Sequence, residues 1–193
     1  KKCPDTRFLY ISSLDCAFNE KSGRSVLAHS KENLCEYYHG EYCLDIKIIR
    51  IPYLYSAFKK GDFLERVFEQ MKIKNTITFK DGALSKSYFL SSTDLCELVV
   101  RLLDNWNEGI GILQINDEFN ITFNDIYEKL ASFRSDIKAD FTGEFAPKTL
   151  DTNNKALRNE YGWFSKISIL DEIEEQYTEF FGESIVKSDN FWD

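Results

Sequence analysis

The pattern of hydrophobic and polar positions predicts two strands on either side of a long helix near the start of the chain. Residues 7–11 form a short apolar run, and residues 44–51 form a longer one with isoleucine on both faces. Between these runs, apolar residues recur at near-helical spacing from residue 25 to about residue 43. A strand, a covering helix and a second strand form one βαβ unit of a parallel sheet, and isoleucine on both faces suits a sheet that is covered on both sides.

Further along the chain, the same pattern predicts alternating helices and short strands. We expect longer helices at residues 62–71, 92–103, 122–133 and 169–181, a short helix at residues 153–159, and strands at residues 76–79, 88–90 and 110–115. Residues 140–148 are expected to form a loop. The sequence therefore predicts an α/β fold.

Composition narrows the classes of partner. The chain of 193 residues carries a net charge of −8, which disfavours nucleic acid because phosphate affinity comes mostly from Lys and Arg. No apolar run approaches the ~20 residues needed to cross a bilayer, so we expect no membrane partner. No apolar leader segment opens the chain, and we expect a cytoplasmic protein.

The cysteines and histidines do not have the spacing of a metal site. The five cysteines, at positions 3, 16, 35, 43 and 96, are odd in number and include no Cys-x-x-Cys pair. The two histidines, His29 and His39, are ten positions apart, which does not suggest a pair of ligands. We therefore interpret the cysteines as reduced thiols and expect no metal.

Three stretches around the βαβ unit occur in an informative order. Ser12 and Ser13 end the first strand, residues 27–31 (Leu-Ala-His-Ser-Lys) lie near the start of the helix, and residues 50–56 (Arg-Ile-Pro-Tyr-Leu-Tyr-Ser) end and follow the second strand. In this order they resemble the second half of the extended short-chain dehydrogenase/reductase family. Its relevant members are the NAD(P)-dependent nucleotide-sugar epimerases and dehydratases.

The resemblance implies roles for five residues. Ser13 would help to hold a substrate hydroxyl, Lys31 would bind the cofactor ribose beside the catalytic residue, and Pro52 would contact the cofactor. Tyr55 and Lys86 would lie on the substrate side, with Lys86 near the position of a family Arg that pairs with the nucleotide diphosphate. A lysine supplies charge there but no bidentate fork. The implied cofactor is NAD or NADP, and the implied ligand is a nucleotide-sugar.

Two departures from the family pattern bear on catalysis. Leu27 occupies the position of the catalytic Tyr, and a leucine cannot transfer a proton, so Lys31 is interpreted as vestigial. His29 lies on a different face of the helix and is a poor substitute. The Gly-rich loop that cradles the cofactor phosphates is also absent from the sequence, since Gly109 and Gly111 precede a strand and not a helix. We therefore expect that this chain alone does not bind NAD or NADP.

The resemblance continues into the C-terminal part of the chain. Leu150-Asp151, residues 155–158 and Gly162-Trp163 stand in the family order, with slightly longer spacing. We expect Gly162 to permit a tight helix exit and Trp163 to be a buried anchor, so this stretch carries fold and not chemistry. Asp94 is expected to serve the entry into a helix.

The resemblance also implies a domain plan. Residues 1–60 would be a partial Rossmann-type portion, and residues 61–193 would be the small α/β substrate lobe, together one continuous globule. Lys1–Pro4 resembles the end of a helix inside a Rossmann domain, and a buried parallel strand needs neighbours on both sides. We therefore expect a fragment of a longer protein, or a half-domain completed by another chain.

Three functional hypotheses follow from the sequence. The first is a fragment or degenerate member of the epimerase/dehydratase family that contributes the substrate-side lobe and lacks catalytic activity as given. The alternative is a non-catalytic protein-binding or scaffolding module, with a protein partner or a second copy of the chain covering an open sheet edge. The third is an enzyme with another acid/base pair, for which Asp15 and His29 are the nearby candidates; nothing in the sequence places them together.

Overall fold

The computed structural model describes residues 6–18, 22–56, 61–116, 119–143 and 154–182. Its strands are β1 (Arg7–Ser13), β2 (Asp45–Ile51), β3 (Tyr53–Tyr55), β4 (Thr76–Phe79), β5 (Phe89–Ser91), β6 (Ile110–Gln114) and β7 (Lys138–Phe141). Its helices are α1 (Gly23–Tyr42), α2 (Phe63–Lys74), α3 (Ser92–Asp104), α4 (Phe123–Phe133), α5 (Lys155–Tyr161) and α6 (Ile169–Phe181), with a 3₁₀ turn at Leu14–Phe18. The predicted α/β fold is confirmed. The predicted segments Lys1–Pro4 and Leu150-Asp151 lie outside the described residues.

By their contacts, the described residues form two compact units that alternate along the chain. The first consists of the described parts of residues 1–52, 93–118 and 149–166, and the second of those of residues 53–92, 119–148 and 167–193. The division into domains at residue 60 stays a prediction. No helix in the described ranges is both long enough and apolar enough to span a bilayer.

The first unit contains the predicted βαβ arrangement. Strands β1, β2 and β6 form a parallel sheet in the order β1-β2-β6, and the register pairs Ser12 with Arg50. Helix α1 begins after Ser22, whose side chain accepts a hydrogen bond from the Ser25 amide. It packs Cys35 against Ile46 and Ile48 of β2, which are fully buried. This packing fixes which side of α1 faces the carboxyl ends of β1 and β2.

Within the first unit, the C-terminal motif is a packing element, as predicted. Gly162 ends α5 with a φ of 60°, a conformation that favours glycine, and Trp163 is fully buried. The Trp163 indole N–H donates to the Asp94 carbonyl at 3.0 Å. The Asp94 carboxylate in turn accepts hydrogen bonds from the Ser165 hydroxyl at 3.1 Å and the Lys166 amide at 2.9 Å. Asp94 therefore fixes the chain that leaves α5.

The second unit is built from short parallel strand pairs and helices. Strand β3 pairs with β5 and β4 with β7. The core between them is rich in aromatic rings, for example Phe79 against Phe123 and Phe68 edge-on to Tyr177. Strand β7 corrects our expectation that residues 140–148 are entirely loop, because residues 140 and 141 belong to it. Its four residues show no strand periodicity of their own and form a strand by pairing with β4.

Candidate functional site

The carboxyl ends of β1 and β2 hold a buried polar cluster. Ser12 and Arg50 are register neighbours on these strands, and Glu32 reaches them from the buried side of α1. The Arg50 guanidinium donates from Nε to Glu32 Oε1 at 3.0 Å and from Nη2 to Oε2 at 2.6 Å. The Ser12 hydroxyl donates to Oε1 at 2.6 Å. The carboxyl edge of the sheet, where α/β proteins bind ligands, is therefore partly occupied by an internal ion pair.

The electrostatics of this cluster favour the charged forms. Burial opposes ionisation of Glu32, but hydrogen bonds from Arg50 and Ser12 outweigh it and hold the pKa of Glu32 below its usual value. Hydrogen bonding to Glu32 also raises the pKa of Arg50. The side chains are only 3% and 14% exposed, so the pair is a largely desolvated one. Such a pair costs solvation energy to form and is strongly destabilising when one partner is lost.

Cys16 and His29 lie next to this ion pair. One ligand atom from each of Cys16, His29 and Glu32 lies within 4.8 Å of the other two. Cys16 is buried in the 3₁₀ turn after β1, and its sulfur is 3.9 Å from the Ser12 hydroxyl. Burial, with the nearby Glu32 carboxylate, raises the pKa of the Cys16 thiol. Our sequence analysis missed this cluster, although His29 and Glu32 have the i, i+3 spacing of helix neighbours.

The residues that the family resemblance assigns to catalysis lie elsewhere on α1 and β1. Leu27 is 57% exposed and Lys31 is also exposed, whereas the buried side of the helix carries Glu32. The Ser13 hydroxyl oxygen accepts a hydrogen bond from the Asp15 amide at 3.2 Å and so caps the turn after β1. Pro52 is half-buried directly after β2. The catalytic and cofactor roles of Ser13, Lys31 and Pro52 stay predictions.

The two residues assigned to the substrate side lie in the second unit. Tyr55 is fully buried in β3, and its hydroxyl donates to the Ile167 carbonyl at 2.9 Å. Lys86 is exposed, forms an isolated bridge with Thr122, and donates from Nζ to the Asn120 side-chain oxygen at 3.0 Å. Lys86 therefore offers a positive charge at the surface, whereas the Tyr55 hydroxyl is engaged inside the fold. Their substrate roles stay predictions.

Comparison with solved structures identifies the fold. UDP-glucuronic acid 4-epimerase from Bacillus cereus, in complex with UDP-glucuronic acid and NAD, matches with a TM-score of 0.76 and 20% identity over 91% of this chain. This chain has the fold of nucleotide-sugar epimerases and dehydratases. The predicted resemblance is thereby confirmed at the level of fold. The chain spans 62% of the length of that epimerase.

Two further structures support the same fold assignment. TunA, an NAD-dependent NDP-hexosamine 5,6-dehydratase of tunicamycin biosynthesis, matches with a TM-score of 0.72 and 13% identity over 93% of this chain and 64% of its own. RMD from Pseudomonas aeruginosa, complexed with NADPH, matches with a TM-score of 0.70 and 18% identity over 90% and 67%. NAD or NADPH is thus the cofactor of these structural neighbours. No family model matches the sequence, and no curated protein matches it.

Proposed function

We propose that this chain supplies the substrate-side lobe of a nucleotide-sugar-binding protein with the epimerase/dehydratase fold, and that it does not catalyse proton transfer. The observation that carries the proposal is Leu27, an exposed aliphatic side chain where the resembling family has its catalytic Tyr. The polar groups nearest the strand ends are engaged internally: Ser12 and Arg50 bind Glu32, and Ser13 binds the Asp15 amide.

Lys86 is the residue we propose to contact the ligand. Its ammonium group is exposed and is held by the Asn120 side chain, within hydrogen-bond distance, so it is positioned at the surface without a carboxylate among the contacts described for it. A single ammonium can pair with a diphosphate oxygen, although it lacks the two-point geometry of an arginine. The Bacillus cereus epimerase binds UDP-glucuronic acid, which makes a uridine diphosphate sugar the first ligand to test.

Binding of UDP-glucuronic acid and UDP to this chain tests the proposal by calorimetry and by NMR shift mapping. We expect weak binding that Lys86→Ala lowers at least about fivefold, because one charge-assisted contact contributes about 1 kcal/mol or more. Lys74→Ala, a change at another exposed lysine of the second unit, is the matched control and should leave binding unchanged. Failure of the folded chain to bind either ligand at millimolar concentration would refute the proposal, and turnover of UDP-glucuronic acid with added NAD would refute its non-catalytic part.

A protein-binding or scaffolding role is the second candidate, and the exposed side of α1 favours it. Val26, Leu27, Leu34, Tyr37 and Tyr38 are each between 43% and 59% exposed, and Tyr42 continues the same apolar stripe. Contiguous apolar surface of this kind is typical of interaction sites. Leu34→Glu should shift the sedimentation of the chain toward the monomer if a second copy covers the stripe. An unchanged monomer for both proteins would exclude self-association and direct the search to another protein.

A further inference from the structure

We propose that Cys16, His29 and Glu32 form a binding site for a zinc-like divalent cation. Thiolate, imidazole and carboxylate are the ligands that Zn²⁺ takes in proteins, and three protein ligands plus a water are the usual set of an open zinc site. The site lies in the first unit, beside the carboxyl end of β1, and does not depend on the proposed nucleotide-sugar function. No ion occupies it in this structure.

The geometry needs only a small closure to reach tetrahedral coordination. The three ligand atoms lie within 4.8 Å of one another. Around a tetrahedral zinc with bonds of about 2.0–2.3 Å, the ligand atoms are about 3.3–3.6 Å apart. His29 and Glu32 are one turn apart on α1, and Cys16 lies in the turn that follows β1, so all three side chains come from ordered backbone. Rotation of the half-buried His29 ring supplies most of the required movement.

Two of the three ligands have few competing partners. Within the described ranges, no hydrogen bond to the His29 imidazole is found. The Cys16 sulfur has one long contact, at 3.9 Å to the Ser12 hydroxyl, and sulfur is a weak hydrogen-bonding group. Glu32 differs, since Arg50 and Ser12 bind both of its oxygens. These partners orient the carboxylate in the way that outer-shell groups orient metal ligands.

Arg50 determines which cations the site can accept. Its positive charge, 2.6 Å from Glu32, opposes any cation that depends on the carboxylate alone. A bound divalent ion must therefore gain its affinity from the thiolate and the imidazole. Zn²⁺, Co²⁺ and Cd²⁺ form strong bonds to these ligands, whereas Mg²⁺ and Ca²⁺ require oxygen. The proposal thus predicts selectivity for the first group.

Titration of the chain with Co²⁺, followed by absorption spectroscopy, tests the site. We expect one bound Co²⁺ per chain with a near-ultraviolet thiolate-to-cobalt charge-transfer band, displaced by Zn²⁺ and unaffected by excess Mg²⁺. Cys16→Ser should abolish the charge-transfer band. His29→Gln should weaken Co²⁺ binding at least about tenfold, the lower end of the effect of altering even the groups that support a metal ligand. His29 is only partly buried, so this second variant keeps the test valid if Cys16→Ser fails to fold.

Matched controls separate this site from other thiols and imidazoles. Cys35 is a second buried cysteine on α1, Cys43 and Cys96 are exposed cysteines, and His39 is the other histidine. Cys35→Ser, His39→Gln and the double change Cys43→Ser with Cys96→Ser should each retain the band and the affinity. The proposal is overturned if Co²⁺ does not bind, if the band persists in folded Cys16→Ser, or if His29→Gln binds as the unaltered chain does. The cluster would then be a buried ion pair with a neighbouring thiol and imidazole.

Discussion

Glu32 and Arg50 are joined at two points, with Arg50 Nε 3.0 Å from Oε1 and Nη2 2.6 Å from Oε2 of the carboxylate. The pair links α1 to β2, and the Ser12 hydroxyl ties β1 to the same carboxylate. One internal network therefore connects three elements at the edge of the sheet where related folds bind their ligands. This arrangement makes the pair a structural feature whose loss should be measurable.

Glu32→Gln should lower the free energy of unfolding by about 3 kcal/mol or more, because it leaves the Arg50 charge buried and uncompensated. Urea unfolding followed by circular dichroism measures the change. Replacing both partners, Glu32→Met with Arg50→Met, should restore much of the loss, since apolar side chains of similar volume often substitute for a buried pair. Equal stability of Glu32→Gln and the unaltered chain would show that water satisfies Arg50.

Trp163→Phe should destabilise the chain by about 1–3 kcal/mol. The change removes the indole N–H that donates to the Asp94 carbonyl and leaves a cavity at a fully buried position. Phe164→Leu, at the exposed neighbouring residue, is the control and should cost less than about 1 kcal/mol. Thermal unfolding of both variants measures the difference. Comparable losses at the two positions would contradict the assignment of Trp163 as the anchor of this turn.

The sequence predicted the elements whose pattern is local. Strand β2 and helix α1 are long enough for their periodicity to identify them, and α6 was predicted with its observed bounds. Strands β3 and β7 are three and four residues long, and they exist because β5 and β4 supply backbone partners. Such pairing is a property of the folded chain and leaves little trace in a single segment.

The polar cluster escaped prediction for a related reason. Arg50 interrupts a run of isoleucines, which is a visible sign of a buried charge that needs a partner. Its partner, Glu32, lies 18 positions earlier, and Cys16 is another 16 positions back in a polar stretch. The sequence indicates that a partner exists but not which acidic residue it is. The family motif drew attention to Leu27 and Lys31, which lie on the exposed side of the same helix.

Glu97 should titrate below its ordinary value. Hydrogen bonds from Lys166 and then Arg101 lower the pKa of the Glu97 carboxyl from 4.5, whereas the small burial opposes this. A lowered folded pKa means that the stabilisation is present above the unfolded pKa and is lost as pH falls through the folded pKa. NMR titration of the side-chain carboxyl should show this shift, reduced at high salt because the group is exposed. Lys166→Met should move the pKa of Glu97 back up; an unchanged value would contradict the pairing.

Leu27→Tyr restores the phenol of the resembling family and tests the non-catalytic proposal. Because Leu27 is 57% exposed, we expect the stability to change by no more than about 0.5 kcal/mol. We also expect no reduction of NAD with UDP-glucuronic acid, since a phenol in water, with no cofactor held beside it, has nothing to receive the hydride. Leu27→Phe has the same ring without the hydroxyl and is the control. NADH formation by Leu27→Tyr but not by Leu27→Phe would mean that this chain holds the cofactor after all, and that the missing phenol alone prevents the reaction.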